Sequence, residues 1–118
     1  MSEQTQSERL FEQARSSMAG GVSHESRYAA PYPKYIARAQ GAHKWDADGN
    51  EYVDYAMGSA SMLLGHAHPD IVTALSEQAA NGVFFADCHE KEVEWSGLIQ
   101  KLVPSAERVR FVGSGTEA

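Results

Sequence analysis

Arg108-Val109-Arg110-Phe111-Val112-Gly113-Ser114-Gly115-Thr116-Glu117-Ala118 is the stretch whose reading decides the rest. Valine and phenylalanine alternate with arginine over 108–112, which predicts a short strand. Gly113 and Gly115 then predict a tight turn, with a helix beginning at Thr116-Glu117. A strand that passes through glycines into a helix start is a physical means of holding a phosphate. Glycine lets the backbone come close, the first helical N–H groups point at the oxygens, and a Ser or Thr hydroxyl adds a donor. The same residues also fit a plain connection. They form neither the dinucleotide fingerprint nor the Walker loop, since a third spaced glycine and a lysine before the threonine are both missing. A parallel strand needs neighbours and covering helices, so one strand with nothing after it is not a finished sheet. The expected architecture is α/β and truncated: an α+β N-terminal segment followed by the opening of a larger domain, cut off at its turn.

Working back from this turn, Pro104 ends a helix predicted over 90–102. Trp95, Leu98, Ile99 and Leu102 share one side of it, and Glu90, Glu92 and Glu94 lie near its start, where the helix dipole favours negative charge. A second helix is predicted from Pro69, a residue suited to a first turn, through Ile71, Val72, Leu75 and Ala79 to Asn81-Gly82. Residues 56–68 read as a loop of small residues. Upstream, 35–37, 42–45 and 51–55 carry the β-favouring residues of a small antiparallel sheet, and Asp48-Gly49 marks a hairpin between the last two. Residues 22–33 have no periodicity and read as a loop. Leu10, Phe11, Ala14 and Met18 make an amphipathic helix over 5–18, stopped by Gly20-Gly21.

Bulk properties narrow the function classes. The 118 residues are 42% hydrophobic and 22% charged, with no apolar run near the length that spans a bilayer. A formal net charge of −6 and scattered Lys and Arg argue against nucleic acid as a partner. The polar start lacks a secretory pattern, and a single cysteine, Cys88, fits a reducing compartment, so the expected location is cytoplasmic.

Several residue groups invite a chemical reading. His66, His68, Cys88 and His89 suggest a metal, but their spacing closes no four-ligand set, so no metal site is expected. Asp46, Asp48 and Asp54 resemble an acid/base or calcium cluster. They are expected instead to shape the hairpin, because Asp bonds its own backbone in turns and the closing Glu of a calcium loop is missing. Trp45, Tyr52 and Tyr55 are expected in a core or an interface. Cys88 beside His89 lacks an orienting third group and is not expected to be a nucleophile.

Ala37-Arg38-Ala39-Gln40-Gly41-Ala42, Trp45-Asp46-Ala47-Asp48-Gly49-Asn50, Tyr52-Val53-Asp54-Tyr55, Leu64-Gly65-His66-Ala67-His68-Pro69 and Arg110 to Ala118 together resemble the N-terminal part of the class III aminotransferases. These are pyridoxal-phosphate (PLP) enzymes of fold type I, and the resemblance runs from about residue 8 onward in the family's order and spacing. It is nearest to the glutamate-1-semialdehyde aminomutases and to transaminases of β-amino acids. The resemblance implies that residues 1–57 belong to a small domain and 58–118 to the beginning of the PLP-binding large domain. It further implies PLP as cofactor, with Ser114, Gly115 and Thr116 cradling its phosphate. Arg27 would grip a substrate carboxylate, a task that suits the guanidinium fork, although an arginine in a polar loop is also commonly just solvated. His66 would be structural. The Schiff-base lysine of the family matches none of Lys34, Lys44, Lys91 or Lys101, so no catalytic residue is expected among these 118 and the chain alone is expected to be inactive. The implied substrate is a small amino acid, and the implied assembly a homodimer. Where aminomutases carry Ser-Trp-Gly-Pro this sequence has Ser59-Ala60-Ser61-Met62. The absent tryptophan removes a wall of the aminomutase pocket and favours a transaminase, with an aminomutase and a non-catalytic binding or dimerisation module as alternatives.

Overall fold

Thr5 opens the first element, its hydroxyl accepting from the Glu8 N–H in the manner of a helix cap. The structure, a computed structural model, describes residues 4–118. Helix α1 runs Gln6–Ser17 and buries Ala14. It ends where the Met18 N–H bonds the Ala14 carbonyl and Gly20 turns to a φ of +66°. The residues group into two compact units, one running through Ser76 and the other Glu77–Ala118.

In the first unit, β1 (Ile36–Gln40), β2 (His43–Asp46) and β3 (Glu51–Val53) form an antiparallel sheet in that order. Pairing of Gln40 with His43 and of Trp45 with Glu51 sets the register of the two hairpins, with an irregularity between Ile36 and Arg38. On one face Arg38 lies over the Trp45 ring, 3.5 Å from its centre. The three aspartates do different work. Asp46 shapes the β2–β3 hairpin by accepting from the backbone N–H groups of Asp48 and Asn50, at 3.0 and 2.8 Å. Asp48 accepts from the Gln6 and Ser7 N–H groups and so caps α1 from the hairpin tip. The Asp54 carboxylate bonds nothing in the hairpin turn, and the Asp54 N–H bonds the Ala42 carbonyl at the far end of the strands. Tyr55, expected in a core or an interface, is 94% exposed and belongs to no core among the described residues.

The segment 22–33 contains a single 3₁₀ turn, Glu25–Arg27, capped by the His24 ring, which accepts from the Ser26 N–H. The loop expected over 56–68 holds a rarer conformation. Met57, Gly58, Ser59 and Ala60 all have positive φ, three of them residues for which the left-handed region is costly. Gly65, at φ +86°, returns the loop to the sheet. A methyl there would stand 3.0 Å from the Gly41 Cα, so only glycine lets His66 pair with Gly41 through two backbone bonds.

Helix α2 (Pro69–Asn81) and helix α3 (Glu90–Leu102) occupy the positions their sequence predicts. His89 caps α3 by accepting from the Lys91 N–H, while the Glu92 carboxylate accepts from the His89 N–H. The predicted strand over 108–112 is not a strand. Exposure still alternates along it, with Val109 and Phe111 half-buried, but no neighbouring strand among the described residues supplies ladder bonds. Phe111 instead stacks on Trp95 of α3, ring centres 4.3 Å apart, and Gln100 donates to the Glu107 carbonyl. The predicted helix start is a single turn, closed by the Ala118 N–H on the Ser114 carbonyl.

No large side chain is fully buried among the described residues, and Phe84, Val93, Trp95 and Leu102 are exposed. So little apolar burial cannot offset the entropy of ordering the chain. The 118-residue chain expressed alone should therefore show a broad, non-cooperative thermal transition by circular dichroism; a sharp melt of the purified monomer would contradict this.

Candidate functional site

Ser114, Gly115 and Thr116 lie on one exposed turn in the second unit. Among the described residues, neither the Gly115 nor the Thr116 N–H has a protein acceptor. A methyl placed on Gly115 would meet nothing within 4 Å, so this side of the turn is open to a ligand. The Ser114 hydroxyl donates to the Glu117 carboxylate at 3.1 Å and accepts from the Glu117 N–H at 3.3 Å. An anionic oxygen, that of Glu117, thus already occupies the hydroxyl the sequence marks for a phosphate. Two free N–H groups beside an open glycine fit a phosphate, with Ser114 becoming available once Glu117 turns away.

Arg27 lines a cavity of about 1010 Å³ in the first unit, together with Ser7, Tyr28 and Tyr35. One guanidinium N–H group donates to the Ser23 hydroxyl at 2.7 Å, which leaves the other donors of the fork for a ligand. Ser7, only 2% exposed, and Tyr35 also line this cavity, and both hydroxyls lack a partner among the described residues. Buried hydroxyls of this kind call for a polar occupant or water. Tyr28, Tyr32, Tyr35 and Tyr52 add apolar ring surface, so the cavity suits a small molecule that carries an anionic group.

Sequence reasoning missed a third arrangement. The Asp54 carboxylate is buried, accepting from Lys44 Nζ at 2.8 Å on one oxygen and pairing with His66 Nε2 at 2.7 Å on the other. Its first oxygen also accepts from the Ala56 N–H. The Lys44 ammonium, then His66, hold the carboxyl well below its ordinary value of 3.8, against the opposing pull of burial. At Asp46 burial pushes the carboxyl up, but the bonds from Asn50 and Tyr52 outweigh it and leave the group lowered. His66, expected to be structural, is the partner that joins Asp54 to the sheet edge at Gly41.

The sign of the pH dependence follows from the lowered value at Asp54. A carboxyl that is more acidic when folded adds stability above its unfolded value and loses that contribution as pH falls. The gap in melting temperature between the full-length wild-type protein and its Asp54→Asn variant should stay level from about pH 8 to about pH 5 and narrow below about pH 4. A gap that widened on acidification would contradict the pairing.

A family model described as "Aminotransferase class-III" matches residues 25–118. The chain belongs to the class-III aminotransferase family. A curated glutamate-1-semialdehyde 2,1-aminomutase from Roseiflexus castenholzii is 48% identical over 115 residues, covering 95% of this chain and 26% of the relative. Solved transaminase structures share the fold of this chain. An ω-transaminase from Sphaerobacter thermophilus superposes with a TM-score of 0.90 at 44% identity, covering 97% of this chain and 26% of that one. A β-phenylalanine aminotransferase from Variovorax paradoxus gives 0.86 at 37% identity, with 95% and 26% covered. A glutamate-1-semialdehyde aminomutase from Pseudomonas aeruginosa PAO1, solved in complex with PMP, gives 0.73 at 26% identity, with 80% and 21% covered. This class-III chain therefore spans about a quarter of the length of the curated relatives it matches. No helix among its described residues is long and apolar enough to cross a membrane.

Proposed function

We propose that this chain is the N-terminal part of a PLP-dependent class-III aminotransferase that moves an amino group between an amino acid and a keto acid or aldehyde. The observation that carries the reading is the open glycine turn at 113–117, in a class-III chain similar to an aminomutase solved in complex with PMP. When bound, PLP supplies the electron sink and amino carrier that side chains lack. The Gly115 and Thr116 N–H groups and the Ser114 and Thr116 hydroxyls would hold its phosphate, the one charged side chain of residues 113–117 being the anionic Glu117. Arg27 would orient the donor by its carboxylate, in a cavity whose tyrosines bound the rest of the molecule. The proposed organisation is a small domain over 1–57 and the start of the PLP domain over 58–118, in a homodimeric cytoplasmic enzyme.

A second reading, a glutamate-1-semialdehyde aminomutase, is favoured by the 48% identity to a curated enzyme of that name. Against it stands Ser59-Ala60-Ser61-Met62, which lacks the tryptophan of aminomutases. Assaying the full-length enzyme with amino donors, with and without a keto acid, separates the two. Turnover that requires the acceptor supports a transaminase, whereas isomerisation of glutamate-1-semialdehyde without any acceptor supports the aminomutase and overturns the first reading.

A further inference from the structure

Five charged residues line the cavity around Arg27, and their charges are not equally available. Asp46 is bonded by Asn50 and Tyr52, and Asp48 by the N-terminal N–H groups of α1. Lys34 lies over the Tyr52 ring, 4.7 Å from its centre. The Lys44 ammonium is held by the buried Asp54 at 2.8 Å. Of the three cations, Lys44 therefore has an anionic partner, whereas Arg27 bonds the neutral Ser23 hydroxyl and Lys34 rests on a neutral ring.

We propose that Asp54 is a specificity-determining positioning residue: by neutralising Lys44 in the cavity wall, it removes one competing cation and favours the Arg27 fork as the group that receives the donor's carboxylate. The proposal rests on the aminotransferase reading and on Arg27 as the carboxylate grip. Asp54 acts through Lys44 and does not touch the donor. Its own placement is secured by His66, which Gly41 and Gly65 hold at the sheet edge. A lysine is a flexible point charge, whereas the arginine fork fixes a carboxylate in one orientation. A free Lys44 would therefore offer a second, poorly orienting anchor to the same group.

The experiment compares full-length holoenzyme variants by the ratio of KM for a carboxylate-bearing donor to KM for a carboxylate-free amine. In the wild-type background Arg27→Ala raises this ratio about ten- to hundredfold. In Asp54→Asn, where Lys44 is released, the same Arg27→Ala change should raise it only about threefold, and kcat for the carboxylate donor should fall because the donor is held in two ways. Adding Lys44→Met to Asp54→Asn should restore the full Arg27 effect. Lys44→Met alone leaves Asp54 without its main counter-charge, so the ratio should rise about threefold through repulsion of the carboxylate. If the Arg27 effect is the same with and without Asp54→Asn, or if Lys44→Met fails to restore it, Asp54 serves the fold through His66 and the proposal is wrong. Should Asp54→Asn not accumulate as folded protein, an unchanged ratio in Lys44→Met overturns the proposal by itself. A wild-type enzyme that transfers no amino group contradicts the aminotransferase reading instead, an outcome distinct from these.

Discussion

Arg27→Ala in the full-length enzyme should raise KM for carboxylate-bearing amino donors about ten- to hundredfold while PLP stays bound. The magnitude follows from the bond that is lost, since a hydrogen bond to a charged group is worth about 1.5–3 kcal/mol, and each 1.4 kcal/mol is about tenfold in binding. The selectivity follows from position. Arg27 sits on a 3₁₀ turn beside a cavity whose buried Ser7 and Tyr35 hydroxyls have no partner among the described residues, and its own partner is a serine. Steady-state kinetics with a carboxylate donor and with a carboxylate-free amine, alongside the visible absorbance of bound cofactor, test this. Release of PLP, or an equal loss with both donors, would return Arg27 to the role of a solvated loop residue.

Thr116→Leu should fail in the opposite manner. The substitution removes a hydroxyl donor and sets an apolar side chain against a turn whose face over Gly115 is now open. PLP affinity should fall at least about tenfold, a lost bond to a charged phosphate being worth about 1.5–3 kcal/mol. Excess PLP should partly restore the rate, because saturating ligand recovers the bound state by mass action. Equilibrium dialysis of PLP measures the affinity directly. Unaltered PLP binding with impaired donor binding would remove the 113–117 turn from the phosphate site.

Much of this was legible from residues near one another in sequence. Pro69, Asn81-Gly82, Glu90 and Pro104 bracket two helices, and their bounds follow from the proline, capping and dipole chemistry at each end. Asp48-Gly49 announced the hairpin because that pair suits its turn. Where sequence reasoning fell short, the deciding partner was distant or missing. Residues 108–112 have strand character, but a strand exists only beside another, and Phe111 takes the Trp95 ring instead. The run of positive φ at Met57 to Ala60 is invisible in sequence, since Met, Ser and Ala carry no preference for it. Asp54 was grouped with Asp46 and Asp48 by proximity along the chain. Its actual partners, Lys44 and His66, come from the neighbouring strand and from the far end of a loop. Arg27 and the turn at 114–116 were singled out through family resemblance, as neither pattern alone separates a ligand site from a connection.

The most direct test of the central claim is the visible spectrum of the full-length protein with PLP. Bound PLP should give an absorbance band that disappears when an amino donor is added and returns on addition of a keto acid, with the donor's amino group recovered in the new amino acid. A protein that binds no PLP at micromolar concentration, or whose bound PLP is indifferent to every amino donor and acceptor supplied, would contradict the account.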